Sequence, residues 1–309
     1  MRHWVLGAMA VAALWGGALS AFQPSEATLR FQFQPRQVLT YEGQQKGEGT
    51  LTTNAAGQEV VVAMTLEGTS TDTVEVERVG DYGIATVLLT TRSDLQVTVS
   101  SPVQRTEKRS HTAKARLRID PQGRILQWQT LDRAAPSGRA PSAGLPTIQL
   151  GEFPTLGFEG LMLPEKPIRA GDTWDAGGSF TLTINERPIK VERKGQGRFV
   201  GWEKVSDRLC AVLETTTETP RLGDILQQAV TAAAPTGSLA AEGEERSTAR
   251  YWFDPEYGRL AQVRANAEVT TNFSVVAPTG QTVAAMMLMT MQSEKRLVKV
   301  GTAPSGEKQ

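Results

Sequence analysis

The chain has 309 residues, 33 Lys plus Arg against 33 Asp plus Glu, and a single cysteine, Cys210. A formal charge of zero gives no electrostatic reason to expect nucleic acid or a strongly anionic membrane surface as partner. One cysteine excludes an intrachain disulfide, so a core must hold the fold, and the length suffices for one large or two ordinary domains with such cores.

Arg2 gives a positive start, an uncharged stretch runs from Trp4 to Phe22, and Ala18 and Ser20 are small where a signal peptidase needs small residues. Residues 1–21 therefore read as a secretory signal peptide, which places the mature chain in the periplasm or outside the cell as a soluble protein. The rival reading is an uncleaved anchor, since the run nearly reaches the roughly 20 residues that span a bilayer. Its glycines and alanines make it weakly apolar, and no cysteine follows it for lipid attachment. A disulfide-free exported chain suits a bacterial envelope better than a small stapled secreted domain.

Residues 22–131 form an N-terminal β half. Val60, Val62, Met64 and Leu66 share one strand face, while Leu95, Val97 and Val99 alternate with Gln96, Thr98 and Ser100. Antiparallel sheets allow such half-buried strands. In IDPQGRI, residues 119–125, Asp120 can accept hydrogen bonds from the following amides, Pro121 presets the second turn position, and Gly123 tolerates the reversal. The stretch reads as a hairpin turn rather than a binding site.

Residues 132–163 read as a Pro/Gly/Ala-rich linker with an apolar exit. DRAAPSGRAPSAGLP has no apolar period. Phe153, Leu156, Phe158, Leu161 and Met162 follow, and they either pack the linker onto a core or cover a cavity mouth.

Residues 164–300 form a C-terminal β half, with period two in Phe180, Leu182 and Ile184 and again in Val269, Thr271, Phe273 and Val275. One helix is predicted over 221–234, where Leu222, Ile225, Leu226, Ala229 and Val230 take helical spacing and Pro235 ends it. FDPEYGRL, residues 253–260, echoes the earlier turn: Asp254, Pro255, Gly258 and Arg259 repeat Asp120, Pro121, Gly123 and Arg124 with one residue added. Tyr41 in RQVLTYE and Trp174 in RAGDTWD repeat at almost the same offset, and VERVGDYGIATVLL and RFVGWEKVSDRLCAVLE read as matching hairpins with a Gly-containing turn. The expected fold is mainly β, with antiparallel curved sheets or half-barrels in two duplicated halves and about one helix. Residues 301–309 read as a disordered tail.

Leu163, Pro164, Pro167, Gly171, Asp172 and Trp174 spell Leu-Pro-x-x-Pro-x-x-x-Gly-Asp-x-Trp. With the signal peptide and the duplicated β-rich body, this segment resembles uncharacterised exported bacterial β-rich proteins of unknown function, and the resemblance implies no activity. In architecture alone the chain is similar to the curved-sheet periplasmic lipoprotein carriers, and a fold does not carry a function.

Catalytic patterns fail on inspection. His3 leaves with the signal and His111 stands alone in a polar run, so multi-His metal sites are excluded and a histidine triad has no identifiable partner residues. No G-x-S-x-G elbow exists, and Lys194-Gly195-Gln196-Gly197 is followed by the strand RFVGW rather than the helix a dinucleotide site needs. No catalytic residue, metal or cofactor is assigned. Glu242, Glu244 and Glu245 are the densest acids and read as a solvated loop. In VAAMMLMTM, residues 283–291, a strand would place Met287, Met289 and Met291 on one face and Met286, Leu288 and Thr290 on the other. The thioethers fill a deeply buried core strand covered by a second layer, line an apolar cavity, or bind a soft metal such as Cu(I). Met287, Met289 and Met291, covered by Phe158, Leu161 and Met162, are the candidate ligand-binding residues. The expected function is non-enzymatic: binding or carrying a lipid or other apolar small molecule, or serving as a scaffold for an envelope protein. The alternative is a carboxylate-dependent hydrolase acting on envelope polymers.

Overall fold

A computed structural model of the protein describes residues 25–55, 58–100, 104–131, 161–184, 186–233, 238–276 and 282–304. The expected signal peptide and most of the linker lie outside them. The strands are β1 (Gln37–Ala55), β2 (Gln58–Val79), β3 (Ala85–Ser100), β4 (Gln104–Ile119), β5 (Ile125–Thr130), β6 (Thr173–Asp175) and β7 (Gly178–Ile184). They continue with β8 (Arg187–Val205), β9 (Arg208–Thr219), β10 (Ser238–Asp254), β11 (Arg259–Val276) and β12 (Thr282–Thr302), and one helix, α1 (Leu222–Ala233), follows β9.

These strands form one sheet in the order β6-β8-β7-β5-β4-β3-β2-β1-β12-β11-β10-β9, and pairing of β8 with β9 closes it. The result is an eleven-stranded barrel with β6 as an extra strand beside β8. The described residues are mainly β with one α-helix, as the sequence patterns predict, and the curvature of the sheet goes as far as closure. Every pairing is antiparallel except β5 with β7, which runs parallel over Gln127–Gln129 against Thr181–Thr183. Parallel neighbours need a long crossover, and the chain between β5 and β6 supplies it.

Strand lengths are unequal, and this shapes the barrel. β5, β7 and β9 have 6, 7 and 12 residues, whereas β1, β2 and β12 have 19, 22 and 21. The ring closes where the β2–β3, β4–β5, β8–β9 and β10–β11 turns lie. β5 pairs with β4 only over Ala115–Ile119, and β9 pairs with β10 only over Glu245–Phe253. Beyond those residues β10, β11, β12, β1, β2, β3 and β4 continue as an open trough. Helix α1 lies along its β10 edge, where a side chain on Gly223 would meet the Glu242 Cα at 2.4 Å.

The closed end is filled by a core around Leu29, Val76, Leu89, Leu117, Phe199 and Phe253, which leaves an apolar cavity of only about 20 Å³ beside Phe31 and Tyr41. Two segments cross it: Ala27 and Ile168 exchange backbone hydrogen bonds of 2.8 and 2.9 Å. The two Asp-Pro turns hold these segments. Phe31 N–H donates to Pro121 O at 2.7 Å, Leu163 N–H to Gln122 O at 2.7 Å, and Gln32 N–H to Gly258 O at 2.9 Å. Gly123 has φ +84° and its missing Cβ would lie 2.6 Å from Leu161 O; Gly258 has φ +55° and would meet Gln32 N at 2.5 Å. Conformation and close approach both demand glycine there.

Asp120 Oδ1 accepts the N–H groups of Gln122 and Arg124 at 3.0 and 2.9 Å, as the turn reading requires. Asp254 Oδ1 accepts Tyr257 N–H at 3.3 Å, and its Oδ2 accepts from Arg208 Nη1 at 2.9 Å. Both turns sit at the same end, each just after a register shift, at Arg118/Ile119 and at Trp252/Phe253. The expected Gly-containing turn in RFVGWEKVSDRL is elsewhere. Ser206 and Asp207, with φ of 47° and 67°, make the two-residue reversal, while Gly201, at φ 150°, occupies the β8 bulge opposite Val212.

Midway along the wall lies a polar belt centred on an ion pair. Lys295 Nζ stands 2.5 Å from Asp72 Oδ2, with side chains 7% and 3% exposed. Lys295 on β12 pairs with Gly43 on β1, and Asp72 is on the next strand over. A side chain on Gly43 would meet Lys295 Cγ at 2.7 Å, so the missing side chain is what lets the lysine cross. Tyr41, opposite Asp72, donates to Leu260 O at 3.3 Å. Burial pushes its phenol well above the ordinary range, with Arg259 opposing and Asp72 adding to the shift.

Removing one partner of such a pair leaves the other charged and dry, at a cost of about 3–5 kcal/mol. Asp72→Ala is expected to lose that much in urea unfolding, while the double change Asp72→Leu with Lys295→Met recovers most of it. A double variant no better than the single would contradict this account. Asp120→Ala is expected to cost about 0.5–2 kcal/mol, as loss of a capping side chain does. Asp254→Ala should cost more in the same assay, because a charge-assisted bond goes with it.

Candidate functional site

Residues directly opposite in a sheet share a face, so the register defines the inner wall of the trough. One row runs Arg105, Val99, Met64, Gly49, Met289, Val269, Glu245, from β4 round to β10. The next runs Glu107, Val97, Leu66, Gly47, Met291, Ala267, Ser247. A third joins Val62, Leu51, Met287, Thr271 and Gly243. The middle of the wall is apolar and its rims are charged.

Burial changes across this wall. Met287 and Met289 are buried with Val269, Phe273, Ala285 and Ala241 near α1. Leu51, Val62, Met64, Leu66, Val97, Val99 and Met291 are only half-buried. Glycines shape the surface by letting a neighbour's side chain lie across them. A Cβ on Gly68 would stand 2.6 Å from Leu95 Cδ2, and one on Gly47 would stand 3.4 Å from Met291 Cγ.

On the β4 rim, Arg105 and Arg109 each pair with Glu107, at 2.9 and 2.8 Å. The hydrogen bond from Arg109 chiefly holds the Glu107 carboxyl below the usual carboxylate range, against a small upward push from burial. The opposite rim carries Glu245, half-buried beside Val269. The outer wall is charged as well, with exposed Glu42, Lys46, Glu48, Glu67, Lys108 and Glu268 on the reverse faces of the same strands.

The three candidate methionines share the inner face, as their spacing predicts. On the outer face Met286 and Leu288 are 39% and 42% exposed, so among the described residues no second layer covers that face, while Met287 and Met289 are buried on the inner face as the core reading has it. The rest of the candidate set is not brought to them. Leu161 is packed in the closed-end core, and the Met162 carbonyl accepts the Trp174 indole N–H at 2.6 Å near that end. The crossover from β5 must return to the closed end to run parallel with it, which carries Leu161 and Met162 away from the methionines. Phe158 lies outside the described residues. The half-buried residues of β2 and β3, and the arginines of β4, complete the wall instead.

The Leu-Pro-x-x-Pro-x-x-x-Gly-Asp-x-Trp segment lines an open cleft of about 570 Å³, but its distinctive residues have structural work. Gly171 has φ +95°, Asp172 Oδ2 accepts Arg169 N–H at 2.8 Å, and the Trp174 ring covers Gly197, where a Cβ would be 2.2 Å away. Together they staple β6 to β8.

Cys210 is buried in a small cluster with Val212 and Trp252. Burial foremost, then the charge of Asp254, pushes its thiol up to about 11. A thiol so protonated and enclosed is a poor nucleophile. Thiol-reactive dye at pH 7.5 is expected to leave the folded protein unlabelled and to label one site once urea unfolds it; rapid labelling of the native chain would contradict this.

No protein family and no curated protein matches the chain. Among solved structures it is similar to Pseudomonas aeruginosa OccK7 (OpdD), at 8% identity and TM-score 0.22 over 82% of this chain and 98% of that one. It is also similar to a DUF1329 family protein from Desulfovibrio piger, at 11% identity and TM-score 0.15 over 86% and 87%. Likenesses of this size carry no argument about function.

Proposed function

We propose that this protein is an exported, water-surrounded β-barrel of the bacterial envelope that holds an apolar molecule in its trough and catalyses nothing. The observation that carries the reading is the half-buried apolar wall of Leu51, Met64, Leu66, Val97, Val99 and Met291 on a concave face, beside an end that is packed shut. Each Å² of apolar surface a ligand covers there is worth roughly 25 cal/mol, and methionine adapts its shape to what it covers. The charged outer wall supports the water-surrounded part of the proposal. A Lys or Arg facing lipid at the bilayer midplane costs about 2–4 kcal/mol.

The hydrolase reading has less support. Among the described residues the carboxylates that are shifted, Glu107, Glu192 and Glu294, all lie below the usual range; at Glu294 burial pushes up and Arg296 with Arg264 outweighs it. A general acid needs the opposite displacement. We also infer that the two β stretches are copies of one five-strand unit. The matched turns, the matched register shifts, and the positive φ of Arg36 and Gly171 just before β1 and β6 support that descent.

The trough is tested with an apolar fluorescent probe such as N-phenylnaphthylamine. The purified protein is expected to bind it saturably, and Leu66→Glu or Val97→Glu to weaken binding at least about tenfold, equivalent to 1.4 kcal/mol. Thermal melts should change little, because both positions already meet water. No binding by the unmodified protein, or equal binding by both variants, would overturn the proposal.

A further inference from the structure

We propose that the ligand of the trough is an anionic amphiphile, its apolar part against Val97, Val99, Met64 and Leu66 and its oxyanion held at the β4 rim by Arg105 and Arg109. This rests on the apolar-ligand reading above and adds the chemical class of the ligand.

β4 is unlike the rest of the chain in charge. Its sixteen residues, QRTEKRSHTAKARLRI, carry six Lys or Arg and one acid, in a protein whose charges balance overall. Position on the strand decides which of them serve the trough. Arg109 pairs with Leu95 and Arg105 with Val99, so both project on the inner face, one strand from the apolar wall. Lys108 projects outward.

The rim is also open to a head group. Among the described residues no strand lies beside residues 104–113, because β5 pairs only from Ala115 onward. The Arg105 and Arg109 side chains are 77% and 48% exposed. Between them stands a single carboxylate, Glu107, shared by both guanidiniums. Two cations around one anion leave a net positive charge, and either guanidinium can turn its fork to a phosphate or carboxylate, which it matches bidentately.

The far rim gives the ligand a direction. In the row that begins with Arg105 the last trough residue is Glu245, beyond Met289 and Val269. An oxyanion laid at that side would meet a carboxylate, so the head is directed to β4 and the tail toward the methionines. Phosphate-headed lipids and free fatty acids share this chemistry.

The test is displacement of the bound apolar probe by single-chain amphiphiles of equal chain length: a lysophosphatidylglycerol, a fatty acid, a lysophosphatidylcholine and an uncharged monoacylglycerol. The two anionic compounds are expected to displace it at concentrations about tenfold below the monoacylglycerol, with the advantage shrinking as salt rises. Arg105→Gln with Arg109→Gln should erase the advantage, each compound being scored against the probe affinity of that same variant. The ratio between the lysophosphatidylglycerol and the fatty acid assigns the head as phosphate or carboxylate. Equal displacement by anionic and uncharged compounds, or an advantage that survives the double substitution, overturns the anion site while the apolar trough stands. Failure of the unmodified protein to bind the probe at all overturns both.

Discussion

Lys295 must reach Asp72 across Gly43, and this requirement orders the whole wall. A buried ammonium without its carboxylate is among the costliest defects a fold can carry. The pair itself adds little net stability over a well-packed apolar substitute, but it makes alternative registers expensive. Slipping β12 by one residue would turn Lys295 outward and leave Asp72 alone in the interior, and it would also turn every other side chain of the strand. Met287, Met289 and Met291 share the parity of Lys295, so the register that satisfies the ion pair is the one that faces the methionines inward. One electrostatic constraint thereby fixes an apolar surface some residues away.

Unequal strands do the rest. A sheet with strands as long as β1, β2 and β12 would close into a deep cylinder if its remaining strands kept pace. β5, β7 and β9 stop short, so closure is confined to one end and the surplus length of seven strands, β10 to β12 and β1 to β4, becomes a trough. The crossing segments around Leu29 and Leu163 then seal the closed end, held by the turns at Asp120 and Asp254. The short parallel seam between β5 and β7 is a consequence of this layout. It marks where the crossover rejoins the sheet, and three residue pairs suffice because the closed-end core holds both strands from inside.

Strand faces were readable from the sequence wherever one face was apolar. Val62, Met64 and Leu66, then Leu95, Val97 and Val99, alternate as the structure has them, and the helix predicted over 221–234 is found at Leu222–Ala233. The turns at Asp120 and Asp254 carried their own chemistry and were equally legible. Parity disappears in RTEKRSHTAKAR, where both faces are polar, so no periodic signal shows that Arg105 and Arg109 point inward. Closure was hidden for another reason. The β8–β9 contact is a local hairpin, and only the count and curvature of the intervening strands bring its far side round to β7 and β5. Leu161 and Met162, at the apolar exit of the linker, read either as packing onto a core or as a cover for the methionines, and Leu161 packs into the closed-end core. The parallel seam, which no local pattern announces, sends them to the opposite end.

The polar belt also limits what the trough can hold. Below the apolar rows come Gln45 and Ser293, then Ser70, Ser93 and Lys295, then Asp72, all on the inner face. An apolar tail pushed deeper would strip water from these groups and return no hydrogen bonds, at a cost of about 1–3 kcal/mol for each one left unsatisfied. The favourable path therefore runs across the strands, along the rows from β4 toward β12, rather than down the barrel axis. That path is short at its charged end and ends in adaptable methionine. Under the proposed reading a single chain would lie over the wall with its head in water, and of the three candidate methionines Met291, half-buried where Met287 and Met289 are buried, would meet the far end of its tail.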